Sequence, residues 1–315
     1  MKTKRLPPKV KEVWESNITQ YYENNVHISY SQLMLYDTCP RQWEAQYLTK
    51  EIPILPSIHM TFGTAIHETI QRWLETLYHY KVKDANEMEL DAMLYENMIK
   101  AYLKDKERND GKDFTDQDEI KTFFDQGVEI LKFIKNRRST YFTTKGVYLA
   151  GIEKLLYVEL APNIFFKGKI DLVLYDERVD EWTIIDIKTS TSGWNKYQKA
   201  DDNKKAQVLL YKYFFSQQFN IPLDKIKTLY FIVKREVPSV DDVEFASMRK
   251  RVQEFKPADG KIKIGQALNI LNNFRSGVLD SQGNLQKGVY STKPSKDSCK
   301  FCELKKKKKC PDAVY

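Results

Sequence analysis

An α/β fold is the prediction for this 315-residue chain, and three observations carry it. Helical apolar stripes fill the N-terminal half, period-two alternation replaces them near residue 152, and a strand–helix–strand succession follows. The chain is long enough to bury a substantial core, as one large domain or as a domain with lobes or insertions.

Residues 29–48, SYSQLMLYDTCPRQWEAQYL, read as a helix capped by Ser29 or Ser31 and broken around Cys39-Pro40, because proline cannot donate to the helix ladder. Residues 62–80 place Phe62, Ile66, Ile70, Trp73, Leu74 and Leu77 on one helical face. Two further helical patterns, 85–108 and 116–138, flank the turn NDGKDF, with Thr115 as the expected N-cap of the second. These helices are expected to form a lobe. Strands are expected at 152–160, 166–175 and 182–189, a helix at 202–219, a strongly apolar strand at 227–234 and a helix near 263–276. There is no internal repeat and no Walker A sequence, so nothing suggests an ATP-driven motor.

The apolar share of 42% and charged share of 30% suit a soluble globular protein. No uncharged apolar run approaches spanning length, and MKTKRLPPKVKEVW lacks the apolar stretch of a signal peptide, so an intracellular protein without membrane partners is expected. The formal charge of +8 is uneven: the run Lys305, Lys306, Lys307, Lys308 and Lys309 supplies five of it. Such a run suits a polyanion, although a solvated tail or an import signal reads equally well.

The stretch WTIIDIKTS, residues 182–190, sets Asp186 and Lys188 into an apolar strand. A salt-bridged pair on an edge strand is the plain explanation. However, Asp171 lies in the preceding strand, and a hairpin with Tyr175 opposite Trp182 would set Asp171 across from Asp186 on one face. Opposed carboxylates destabilise a ladder, and at least one should resist ionising. Mg²⁺ or Mn²⁺ would relieve that conflict. A one-residue bulge would instead send the two carboxylates to opposite faces. Lys188, on the face of Asp186, could position a water or neutralise charge on a phosphoryl oxygen.

Taken in order, Gly168-Lys-Ile-Asp171, Ile-Asp186-Ile-Lys188-Thr and Gln207-Val-Leu-Leu-Tyr211 resemble the PD-(D/E)XK nuclease superfamily, specifically its RecB-like exonuclease branch. The resemblance covers roughly residues 148–234. It implies a restriction-endonuclease-like core, a mixed sheet flanked by helices, and metal-dependent cleavage of DNA by Asp171, Asp186, Lys188, Gln207 and Tyr211. Gly63-Thr-Ala-Ile-His67 is similar to the upstream glycine-to-histidine helix of this branch, which implies His67 as a metal ligand; the alternative is a half-buried histidine beside Ile66 and Ile70. Glu153 matches the acidic residue that often precedes the G-x-x-D strand, and Glu159 competes for that place.

Cys299, Cys302 and Cys310 have C-x2-C-x7-C spacing, and Cys39 lies 260 positions before the first of them. Disulfides are not expected in a reducing compartment. The layout resembles that of CRISPR-associated and AddB-type nucleases, whose C-terminal cysteine triplet joins a distant N-terminal cysteine around a [4Fe–4S] cluster. The final gap of seven residues exceeds the usual five or so, and spacing alone suits structural Zn²⁺ at least as well. Three regions follow: 1–147 with the first cysteine and the helical lobe, 148–290 as nuclease core, and 291–315 as the cysteine-rich basic segment. The expected activity is a DNA exonuclease acting on ends or single strands, in recombination, repair, or viral or CRISPR DNA processing, with a recombination or helicase protein as candidate partner. The alternative is a non-catalytic DNA-binding or recombination-complex subunit clipped by a structural metal.

Overall fold

The computed structural model describes residues 4–16, 25–239, 249–286, 288 and 290–314. Helix α1 (Pro8–Glu15) and strand β1 (Val26–Ile28) precede the proline-interrupted helix, which is split at the expected place. Helix α2 (Tyr30–Thr38) has Ser29 at its N-cap, Cys39 is extended, and Pro40 opens α3 (Pro40–Trp43), where its missing N–H costs nothing. A π-helical turn, Glu44–Leu48, follows.

Helix α4 (Ile58–His79) buries the whole predicted stripe. After the short α5 (Val82–Glu87), α6 (Leu90–Arg108) and α7 (Gln117–Asn136) pack on it, and α8 (Arg138–Tyr141) leads into the sheet. The N-cap of α7 is Asp116 rather than Thr115. The Asp116 carboxylate accepts the Glu119 N–H at 2.8 Å, while the Thr115 hydroxyl bonds the Glu119 side chain.

The sheet comprises β2 (Val147–Ala161), β3 (Ile164–Asp176), β4 (Glu181–Ser190), β5 (Ile226–Lys234) and β6 (Val252–Phe255), together with β1. Strand β2 starts five residues before the expected 152, because its pairing shifts between Leu149 and Gly151 and breaks the alternation there. The short helix α9 (Lys196–Ala200) and helix α10 (Asp202–Phe219) carry the chain from β4 to a parallel β5; β3–β4 and β5–β6 are antiparallel, so the sheet is mixed. Helix α11 (Lys261–Val278) and the short α12 (Lys296–Lys300) and α13 (Glu303–Lys306) complete the chain.

Helices α4, α6 and α7 cover one face, where Phe62, Ile66, Leu94 and Ile130 share a core with Leu172, Ile185, Ile187 and Phe231. Helices α2, α10 and α11 cover the other with Phe166, Ile170, Val173, Trp182 and Ile184. The N-terminal helices therefore share a continuous core with the sheet across residue 147. Among the described residues, no helix is long and apolar enough to cross a membrane.

Central strand β3 positions the site. One of its edges pairs with β2 along nearly its whole length. Its other edge is divided: β1 pairs with Ile164–Phe166, and β4 pairs with Leu172–Asp176. Among the described residues, 167–171 have no strand partner on that edge.

Candidate active site in the parted strands

The expected hairpin register holds from Asp176 opposite Glu181 to Leu172 opposite Ile185, and ends one pair short of the aspartates. Asp171 leaves the ladder, and its Oδ2 accepts the Ile187 N–H at 2.7 Å. The apolar side chains of β3 change face at this point. Phe166 and Ile170 lie in the α10 core, whereas Leu172 and Leu174 lie in the α4 core. Across on β2, Glu153 has a left-handed backbone (φ 48°) and falls between the paired residues Ile152 and Lys154. The simple picture of two aspartates opposed in a regular ladder is thus corrected: one carboxylate caps the neighbouring strand where the strands part.

Helix α10 fills the rest of the gap. A Cβ on Gly168 would lie 2.7 Å from Tyr211 Cε1, so the glycine leaves room for the tyrosine ring. A polar chain runs from this ring into the sheet. Gln207 Nε2 donates to the Tyr211 hydroxyl at 3.2 Å, and Lys188 Nζ donates to Gln207 Oε1 at 2.8 Å. Lys188 Nζ also lies 2.8 Å from Asp186 Oδ2. Asp186 is only 2% exposed, and the Lys188 ammonium is the partner of its Oδ2.

Helix α4 closes the site from the other face. His67 Nδ1 is 3.6 Å from Asp171 Oδ2. A Cβ on Gly63 would meet Thr189 Oγ1 at 3.7 Å, an ordinary contact with β4. Gln71, one turn beyond His67, donates to Glu153 Oε1 at 2.8 Å and lies 3.4 Å from the Asp171 carbonyl. Sequence reasoning missed Gln71; its signal is an amide at i+4 from His67 beside an apolar stripe. Glu153 also pairs with Lys169 at 3.1 Å, whereas Glu159 lies farther along β2, opposite Phe165.

Burial, and next the charge of Asp186, raise the Asp171 pKa well above the ordinary carboxylate value; the Ile187 N–H and Lys188 oppose this. Burial raises Asp186 too, against Lys188. Burial and then Lys188 lower His67 to about 4, leaving a neutral imidazole at physiological pH. Burial raises the Tyr211 phenol, keeping it protonated. A buried carboxylate paired with an ammonium, a second carboxylate pushed up partly by the first, and a neutral imidazole offer oxygen and nitrogen donors of the types that divalent cations take. Among the described residues, no three or more His, Cys, Asp or Glu side chains, the four cysteines included, stand in an arrangement that could hold a metal ion.

The four cysteines are free, with Cys39, Cys299 and Cys302 buried and Cys310 partly so. Cys302 packs with Ala45, Ile52, Leu304 and Cys310. Burial raises the Cys302 thiol, with Cys39 and Cys299 adding to the effect, so the distant cysteine has come into the neighbourhood of the triplet. Hydrogen bonds join the same segments: the Arg41 N–H to the Ser291 carbonyl at 3.2 Å, Gln42 to the Ser298 carbonyl at 2.7 Å, and Lys293 to the Asp37 carbonyl at 2.6 Å. The extra residues between Cys302 and Cys310 are taken up by α13 and a left-handed Lys308 (φ 53°). Lys305 donates to the Val314 carbonyl, Lys306 pairs with Glu303 and Lys309 with Glu51, and Lys306, Lys307, Lys308 and Lys309 all stand exposed. Four of the five lysines therefore remain on the surface.

A parted mixed sheet with a D…D-x-K set and a Q-x-x-x-Y helix defines a class of protein. The profile of the PD-(D/E)XK nuclease superfamily matches residues 27–307, and the chain belongs to that superfamily. Its fold is the family's helix-flanked mixed sheet. Among solved structures, the crystal structure of a protein named "Putative exonuclease" from Eubacterium rectale is similar, with a TM-score of 0.47 and 15% identity, over 82% of this chain and 84% of that one. Among curated proteins nothing matches.

Proposed function

We propose that this nuclease is a metal-dependent DNA exonuclease that hydrolyses phosphodiester bonds at DNA ends or in single strands. The observation that carries the proposal is the buried Asp186, paired with Lys188 at the head of the Lys188–Gln207–Tyr211 chain, beside Asp171, whose pKa its charge raises. Asp171, Asp186 and neutral His67 would hold Mg²⁺ or Mn²⁺, which lowers the pKa of a bound water and screens the scissile phosphate. Lys188 is held by Gln207, so its ammonium is fixed in direction before substrate arrives. Tyr211 orients Gln207 as a neutral phenol, and Gln71 orients Glu153 at the rim.

The test is digestion of end-labelled DNA with Mn²⁺ by the wild-type protein and by Asp186→Ala and Lys188→Ala. Each variant is expected to lose about 100-fold or more in rate. Equal digestion by all three removes this site from the reaction, and metal-independent DNA retention without hydrolysis by the wild-type protein replaces the enzyme with a binding subunit.

The four cysteines are the proposed ligands of a [4Fe–4S] cluster, with structural Zn²⁺ as the alternative. Supporting this are four free thiols, three of them buried, on segments from both ends of the chain that hydrogen bonds join. Anaerobically purified protein is expected to be brown, with broad visible absorbance. A colourless protein with stoichiometric zinc selects the alternative. The run Lys305 to Lys309 is proposed to meet DNA, with Lys306 to Lys309 exposed for that contact.

A further inference from the structure

Strand β4 delivers Lys188 and α10 delivers Gln207, and the connection 191–201 joins those two site elements. At its centre stands Tyr197, 73% exposed, with the Lys196 ammonium 5.0 Å over its ring. A single exposed aromatic is ordinary on a protein surface. What distinguishes this one is the rigidity of its mount.

Each part of the connection is fastened. Arg235, 7% exposed, donates to the Thr191 hydroxyl at 2.7 Å. The Ser190 hydroxyl accepts the Gly193 N–H at 3.0 Å, and Gln253 Oε1 accepts the Trp194 N–H at 2.7 Å. Trp194 packs on Tyr230, which pairs with Asp186 in the sheet. A reciprocal capping box between Asn195 and Gln198 fixes the start of α9, and Asp201 caps α10. Side chains hold this connection from end to end, yet the residue at its crest contributes little to packing. A frame that well ordered, presenting an open ring beside an ammonium, bears its ordering cost before any ligand binds.

We propose that Tyr197 is a base-stacking post, a positioning residue that receives an unstacked nucleobase of a single-stranded substrate, with Lys196 beside the adjoining phosphate. This deepens the proposed function and rests on it. Every base presents a π-face, so the post is indifferent to sequence, and it acts only on a strand whose bases are free.

The experiment is fluorescence anisotropy with a labelled thymidine oligonucleotide about twelve nucleotides long, within the usual site size for single-strand binding, without added divalent ion, on the full-length protein. Tyr197→Ala is expected to weaken binding roughly tenfold, and Tyr197→Phe to stay within about twofold of wild type. An otherwise identical abasic strand should bind wild type and Tyr197→Ala alike. Hydrolysis of bis(p-nitrophenyl) phosphate with Mn²⁺, which engages no base, should be unchanged in Tyr197→Ala. Equal affinity of wild type and Tyr197→Ala for the thymidine strand overturns the proposal, as does an equal loss on the abasic strand. Failure of the wild-type protein to bind or cleave any DNA overturns the nuclease reading itself, whereas normal cleavage with an inert Tyr197→Ala overturns the stacking post alone.

Discussion

Asp171 is pulled in two directions. Its Oδ2 accepts the Ile187 N–H, which favours the carboxylate, while burial and the neighbouring Asp186 favour the acid and prevail. A carboxyl whose pKa is raised on folding binds a proton that the unfolded chain has already released. Stability therefore falls as pH rises from the ordinary carboxylate value through the raised one, and the penalty is complete above it. Asp171→Asn keeps an oxygen for the Ile187 N–H and removes the charge. At neutral pH its melting temperature should exceed that of wild type by about 2–4 °C for each kcal/mol relieved. The two proteins should converge in acid, where Asp171 is neutral in both states, and the variant should have lost cleavage. A variant less stable than wild type at neutral pH would mean that the carboxylate is a net stabiliser. The sequence carried the identities of these residues, since the ordered motifs named Asp171, Asp186, Lys188, Gln207 and Tyr211. It did not carry Gln71, whose partners Glu153 and Asp171 lie 82 and 100 positions away.

Strand β3 and helix α10 are fitted to each other through one missing methyl group. The Tyr211 ring occupies the place where a Gly168 side chain would stand, and the hydroxyl on that ring accepts from Gln207, which in turn accepts from Lys188. Gly168→Ala forces either the ring or the strand to shift, at a typical overpacking cost of about 1–3 kcal/mol. The expected outcome is a lower urea midpoint and a larger loss of cleavage than of stability, because the shift reaches Lys188. Unchanged cleavage would detach the Tyr211 ring from catalysis. Elements with clean periodicity were legible: α4 from its stripe, the break at Pro40, and the β3–β4 register from Tyr175 opposite Trp182. Where periodicity failed, local chemistry had intervened. The pairing shift at Gly151 hid the start of β2, the three-residue β1 was too short to alternate, and the departure of Asp171 from the ladder is a side-chain hydrogen bond that no pattern of apolar residues encodes.

At the scale of the whole molecule, the segment around Cys39 and the segment after Tyr290 are one structural region. Besides the cysteines, Arg41, Gln42 and Lys293 bridge them with hydrogen bonds, and Tyr36 and Trp43 pack edge-on against Tyr290. This closure spans roughly 250 residues, and because loop-closure entropy grows only slowly with length, a modest set of contacts can sustain it. A four-thiolate centre would add a bond network that the unfolded chain lacks, so its binding energy would become folding energy. Cys302 and Cys310 pack with Ala45, Ile52 and Leu304 in a cluster separate from the α10-face core, to which Trp43 and Tyr290 of the closure belong. Cys39→Ser is therefore expected to lower the melting temperature and to speed proteolysis after Tyr290, while Mn²⁺ affinity at the parted strands stays within about twofold. If the melting temperature is unchanged, the three hydrogen bonds and the aromatic contacts hold the closure without the thiolates. If Mn²⁺ affinity falls along with stability, the two regions are coupled, and the clip takes part in shaping the site.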